Sequence, residues 1–157
     1  MPLFAVRGAT TCGANEPGAV LEATRELVEQ LQRANPALTP ASTLLALFTA
    51  TPDLDAAFPA AAARALGYTG AALLGASELA VPGAPERCIR VLFLYETDQD
   101  GRPAPAHHGR PVYLRGAAVL RPDLAEPADE GKGADEGKGA GEGKDTGEGK
   151  GKEVGRL

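Results

Sequence analysis

Ten arginines and no lysine lie in residues 1–124, so fixed positive charge in that stretch is always a guanidinium. One of them, Arg90, interrupts an otherwise apolar run from Ile89 to Tyr95 that reads as a buried strand. A guanidinium stays charged at any accessible pH, and an unpaired buried charge is strongly unfavourable. Arg90 therefore needs a carboxylate, either from the protein or from a ligand. An internal ion pair with Glu78 is the least demanding answer from these residues alone. Arg7 poses the same question, on a strand face shared with Leu3 and Ala5. Arg64 sits in an Ala-rich helical stretch and reads by default as a solvated surface residue. Two or more arginines meeting in one apolar cleft would make a site for a small dicarboxylate, because Arg grips carboxylates through paired N–H donors. No nucleophile–base triad or metal-ligand cluster competes with this reading. His107-His108 falls in a Gly/Pro-rich loop without periodicity and carries no catalytic expectation.

The elements that must position these arginines follow from hydropathic period. Leu3 to Arg7 alternates as a strand, with Gly8 expected to end it. Asn15 is a good helix N-cap and Pro17 is tolerated in the first turn. Val20, Leu21, Thr24, Leu27, Val28 and Leu31 recur at helical spacing, and Asn35-Pro36 stops that helix. Thr43 to Thr49 reads as a buried strand, and Pro59 opens a second helix ending at Gly67. Ala71 to Leu74, Cys88 to Thr97 and Val112 to Leu120 read as three further strands. The order β-α-β-α-β-β-β implies a mixed β-sheet of the α/β or α+β kind, with helices on one face. In Ile89–Tyr95 both faces are apolar apart from Arg90, yet two helices can cover only one face of a five-stranded sheet. Another copy of the chain is the simplest cover for the second face, so an oligomer is expected.

Charge and composition divide the 157 residues. Residues 1–124 carry ten Arg against twelve acids, a net of -2; residues 125–157 carry five Lys and one Arg against nine acids, a net of -3, and the sum is the overall -5. From Glu130 the chain repeats Glu-Gly-Lys every six residues, at Glu130, Glu136, Glu142 and Glu148. Almost nothing apolar is there to offset backbone entropy, so 128–157 is expected to be a disordered tail, with the domain boundary near Pro127. The net negative charge and the lack of Trp disfavour a nucleic-acid partner. Cys12 and Cys88 form no CxxC and read as reduced thiols. With neither a signal peptide nor an apolar run long enough to span a membrane, the protein is expected to be soluble, cytoplasmic and without a membrane partner.

Five blocks carry a family resemblance: Arg7-Gly-Ala-Thr-Thr; Ala50-Thr51-Pro52-Asp53-Leu54 with Phe58-Pro59-Ala60; Cys88-Ile89-Arg90-Val91; Val112-Tyr113-Leu114; and Leu120-Arg121-Pro122-Asp123-Leu124. In their order and spacing across residues 3–124 they resemble the monofunctional chorismate mutases of the AroH class. The resemblance implies the rearrangement of chorismate to prephenate without a cofactor or metal. It also implies a homotrimer with a barrel-like core and active sites between neighbouring subunits. By the same resemblance Arg90 contacts the ether oxygen of the breaking bond and a substrate carboxylate, and Glu78 accepts a hydrogen bond from the ring hydroxyl. Arg7 and Tyr113 would hold the side-chain carboxylate, Phe58 and Arg64 would come from the adjacent subunit, and Leu120 with Arg121 would close over the cleft. Two positions depart from the family pattern, Ala61 where lysine is frequent and Gly75 where cysteine is frequent. A trimeric enamine/imine deaminase of the RidA type lacks the first and last blocks, and a non-catalytic trimeric binding module would have no need of Arg7, Glu78, Arg90 and Tyr113 together.

Overall fold

The chain's structure, a computed structural model, describes residues 2–97 and 109–124; His107-His108 and the expected tail lie outside them. The elements are β1 (Leu3–Thr11), α1 (Pro17–Ala34), β2 (Thr43–Ala50), α2 (Ala60–Ala65), β3 (Ala72–Ser77), β4 (Cys88–Glu96) and β5 (Val112–Tyr113), followed by 3-10 turns at Arg115–Leu120 and Pro122–Leu124. The strands form one mixed sheet in the order β3-β2-β4-β1-β5. β4 is antiparallel to both β1 and β2, while β2–β3 and β1–β5 pair in parallel.

Both helices pack on the same face of the sheet. Leu27, Val28 and Leu31 of α1 and Ala60 and Ala63 of α2 meet Val6, Ala46, Phe48, Val91, Phe93 and Tyr95 from the three central strands. Those strand residues alternate along the chain, as a half-covered sheet requires, and each large apolar side chain so buried contributes about 1.5–3 kcal/mol. Among the described residues no element covers the opposite face. Leu74, Leu47 and Leu92 lie in one lateral row across β3, β2 and β4, continued by Arg7 on β1. Leu74 is 61% and Leu92 41% exposed.

Several sequence expectations change in the folded chain. Gly8 does not end β1, which runs to Thr11 and pairs with β4 throughout, from Leu3↔Glu96 to Thr11↔Cys88. Gly8 is there for room: a Cβ at that position would lie 3.0 Å from Leu27 Cδ1, Leu31 Cδ1 and the Val112 carbonyl oxygen. Asn15 does not cap α1, whose N-cap is Glu16 without a side-chain bond. Its amide instead clamps the loop before α2, donating to Asp55 Oδ1 at 2.7 Å and accepting from the Asp55 and Ala56 N–H groups. The α2 helix is shorter than expected, and β3 begins one residue later and runs on to Ser77.

The last expected strand, Val112 to Leu120, is extended only at Val112–Tyr113. Arg115 then turns with φ at 52°, a left-handed conformation held by its bonds to Glu26. Gly116 approaches Thr11 closely, its N–H donating to the Thr11 hydroxyl at 3.0 Å. The alternating residues beyond Tyr113 thus belong to a 3-10 turn against the end of β1. Among the described residues no helix is long and apolar enough to cross a membrane.

Candidate active site

Strand register brings the candidate arginines together on the open face. Ala76, Thr49, Arg90, Ala9 and Tyr113 form one lateral row across all five strands. Arg7 occupies the neighbouring row beside Leu92. Glu78 follows β3 directly, its N–H donating to the Ala50 carbonyl at 2.9 Å. The result is a cleft of about 380 Å³ lined by Arg7, Ala9, Leu47, Thr49, Glu78, Arg90, Leu92 and Tyr113. The two-residue strand period explains the grouping, since every side chain on this face comes from alternate positions.

Arg90 and Glu78 form an ion pair, Nε to Oε1 at 3.2 Å. Glu78 is largely covered, at 15% exposure, while the Arg90 side chain is 44% exposed. The sequence expects Arg90 in a buried or interfacial position; in the single chain it projects from the uncovered face. Glu78 Oε1 also accepts a hydrogen bond from the Thr49 hydroxyl. Cys88, two residues before Arg90 on the same strand, is buried, and burial pushes its thiol above the ordinary range, opposed by the Arg90 guanidinium. Cys12 is likewise free and buried, and its thiol is raised by burial.

The Thr51-Pro52-Asp53 segment anchors the start of β4 instead of entering the cleft. The Thr51 hydroxyl accepts the Cys88 N–H at 2.9 Å, and Asp53 Oδ2 accepts the Arg87 N–H at 2.8 Å. Arg87 has φ at 46°, so Asp53 secures a strained turn at the entry to β4, two to three residues before Arg90. The hydrogen bond from Thr51, with that from the Arg87 backbone, holds the Asp53 carboxyl below the usual carboxylate range. In the last block Arg121 grips Asp123 through two contacts, Nε–Oδ1 at 2.9 Å and Nη2–Oδ2 at 2.7 Å. That pairing lowers the Asp123 pKa and raises that of Arg121.

Of the eight sequence-selected site residues, the single chain gathers Arg7, Glu78, Arg90 and Tyr113 in one cleft. Arg121 shares an adjoining hollow of about 560 Å³ with Arg7 and Leu124. Leu120 is half-buried at the end of its 3-10 turn. Phe58, 78% exposed, lines a different hollow of about 740 Å³ together with Gly75, Ala76 and Ser77. Arg64 is on the exposed side of α2. Ala61 is half-buried in α2, and a Cβ on Gly75 would meet open space. The residue that sequence reasoning missed is Thr49. Its place two positions after Leu47 puts it on the open face, but only the β2–β4 register sets it opposite Arg90.

Residues 3–124 match the family model described as chorismate mutase type I. The chain is 44% identical over 119 residues to the chorismate mutase AroH of Thermus thermophilus, covering 76% of this chain and 93% of that protein. It is 36% identical over 126 residues to the chorismate mutase AroH of Bacillus subtilis (strain 168), covering 80% and 94%. The fold also matches a solved chorismate mutase from Clostridium thermocellum, with a TM-score of 0.64 and 40% identity over 74% of this chain and 99% of that one. These likenesses span the strands and the cleft just described, and the chain belongs to the chorismate mutase type I family, with chorismate mutase as its activity.

Proposed function

We propose that the conversion of chorismate to prephenate takes place in the cleft of Arg7, Glu78, Arg90 and Tyr113, completed by a second copy of the chain. The observation that carries this reading is the convergence of two arginines and a carboxylate on one partly apolar sheet face. The reaction is a unimolecular [3,3] rearrangement, with no proton transfer and no covalent intermediate. A general base or nucleophile would have nothing to do, so the rate must come from elsewhere. One source is restraint of the flexible enolpyruvyl arm in its folded shape, which the carboxylate grips of Arg7 and Tyr113 provide. The other is fixed positive charge at the ether oxygen, which becomes anionic as the C–O bond breaks; Arg90 supplies it. Glu78 accepts the ring hydroxyl and keeps Arg90 aligned.

The row of Leu74, Leu47 and Leu92 beside the cleft supports assembly, because apolar surface of this kind is covered at low cost by a symmetric copy. In a trimer with a barrel-like core, Phe58 and Arg64 of one copy would reach the cleft of the next, and Leu120 with Arg121 would close it. This reading also supplies the cover that Arg90 lacks in the single chain.

Arg90→Ala tests the assignment. Loss of one such donor costs roughly 3 kcal/mol, a rate loss of about a hundredfold or more. Chorismate consumption, followed by absorbance, should fall by that much while the assembled size is kept. Arg90→Gln should do little better, since charge and not shape is required. Near wild-type turnover in either variant would refute the role.

A further inference from the structure

We infer that Thr49 is a positioning residue for the mutase reaction: its hydroxyl holds Glu78 in a pose that leaves one carboxylate oxygen and the guanidinium edge of Arg90 facing substrate. The inference rests on the reading that Arg90 and Glu78 work in this cleft. Three strands meet at the point concerned. Thr49 on β2 lies directly opposite Arg90 on β4, and Glu78 enters from the end of β3. One oxygen, Glu78 Oε1, receives both the Thr49 hydroxyl and the Arg90 Nε contact at 3.2 Å. A carboxylate and a guanidinium left to themselves settle into two parallel bonds. Such a pairing would consume N–H donors that the ether oxygen and carboxylate of chorismate require, and it would turn Oε2 away from the ring hydroxyl.

The Thr49 hydroxyl opposes that collapse. By taking a lone pair on Oε1 it fixes the carboxylate rotation and keeps Oε2 toward the cleft. Nothing else about the site calls for threonine. Valine has the same branched shape and suits a strand equally well, so the hydroxyl is the one feature that Thr adds here.

The full-length chain carrying Thr49→Val is the test, with chorismate turnover as the readout and a thermal melt to establish folding. Losing a hydrogen bond to a charged group predicts a kcat lower by roughly ten- to a hundredfold, with a smaller change in KM. Thr49→Ser, which keeps the hydroxyl, should recover most of the loss. If Thr49→Val melts early, Thr49→Ala set against Thr49→Ser provides the same comparison. The effect must also act through Glu78: in a Glu78→Ala background, Thr49→Val should change kcat less than twofold, as expected when two residues are one unit. Wild-type kcat in Thr49→Val, failure of Ser to recover it, or an undiminished effect in the Glu78→Ala background would each overturn the inference. Retained turnover in Arg90→Ala would instead overturn the underlying site assignment, whatever the Thr49 variants do.

Discussion

The Arg90–Glu78 contact is half open to water in the single chain, and exposed ion pairs contribute at most about 1 kcal/mol to stability. Its geometry is therefore more informative than its strength: Glu78 Oε1 also accepts from the Thr49 hydroxyl. Tyr68 has the opposite character. It is wholly buried against Phe93, with ring centroids 5.3 Å apart, and its hydroxyl lies near Gln32 without a hydrogen bond of normal length. Burial pushes its pKa from the ordinary 10 up to about 12. The folded value lies above the unfolded one, so the native state keeps a proton that the unfolded chain releases. The stabilisation is complete below pH 10 and is lost as pH rises from there toward about 12. Cys12 and Cys88, both raised by burial, act in the same sense at somewhat lower pH. A urea midpoint that falls between pH 9.5 and 11.5, and falls less in Tyr68→Phe, is the expected result; identical pH dependence in the two proteins would contradict it.

Among the elements, the short β5 is held most indirectly. Two residues long, it pairs among the described residues with β1 alone, and the segment before it is tied to Asn35 at the end of α1. The buried Asn35 amide donates to the Leu31 and Arg110 carbonyls, both at 2.9 Å, and accepts the Arg110 N–H at 2.7 Å. Gly109 makes this possible, since a Cβ there would lie 2.6 Å from Asn35 Oδ1. The Asn-Pro pair read as a helix stop is thus also the anchor for the segment that delivers Tyr113 to the cleft. Asn35→Ala should lower stability by about 1–3 kcal/mol in denaturant unfolding. Because Tyr113 follows two residues after Pro111, KM for chorismate should rise in the same variant. A loss of stability with unchanged KM would separate the anchor from the site.

At the scale of the molecule, the open sheet face decides whether one chain suffices. In an isolated chain Leu74 is mostly exposed, so Leu74→Lys should cost under 1 kcal/mol. If a second copy covers the Leu74–Leu47–Leu92 row, the same substitution places an unpaired charge in an interface. Sedimentation should then show a smaller species, with turnover lost alongside. An unchanged mass and rate would rule out assembly through this face. The Glu-Gly-Lys repeat offers almost no apolar surface to bury, so deleting residues 128–157 should leave turnover and assembly unaltered in the same two measurements.

Much of this was legible in the residues themselves. Alternation located β1 and a helical period located α1, because burial on one face forces apolar side chains to recur at the element's own repeat, while continuous apolar runs marked β2 and β4. Permanent charge among apolar neighbours singled out Arg90 and Arg7, and the ordered blocks pointed to the family. Local pattern failed where a residue's partner is remote in the chain: Asn15 answers to Asp55, Gly116 to Thr11, and Thr49 to Glu78 and Arg90. Period describes which face a side chain takes, but the lateral register between strands comes only from the packed sheet. That register is what set Tyr113, Arg90 and Thr49 in one row, whereas Phe58 and Arg64 lie off the sheet, in the loop before α2 and on α2 itself.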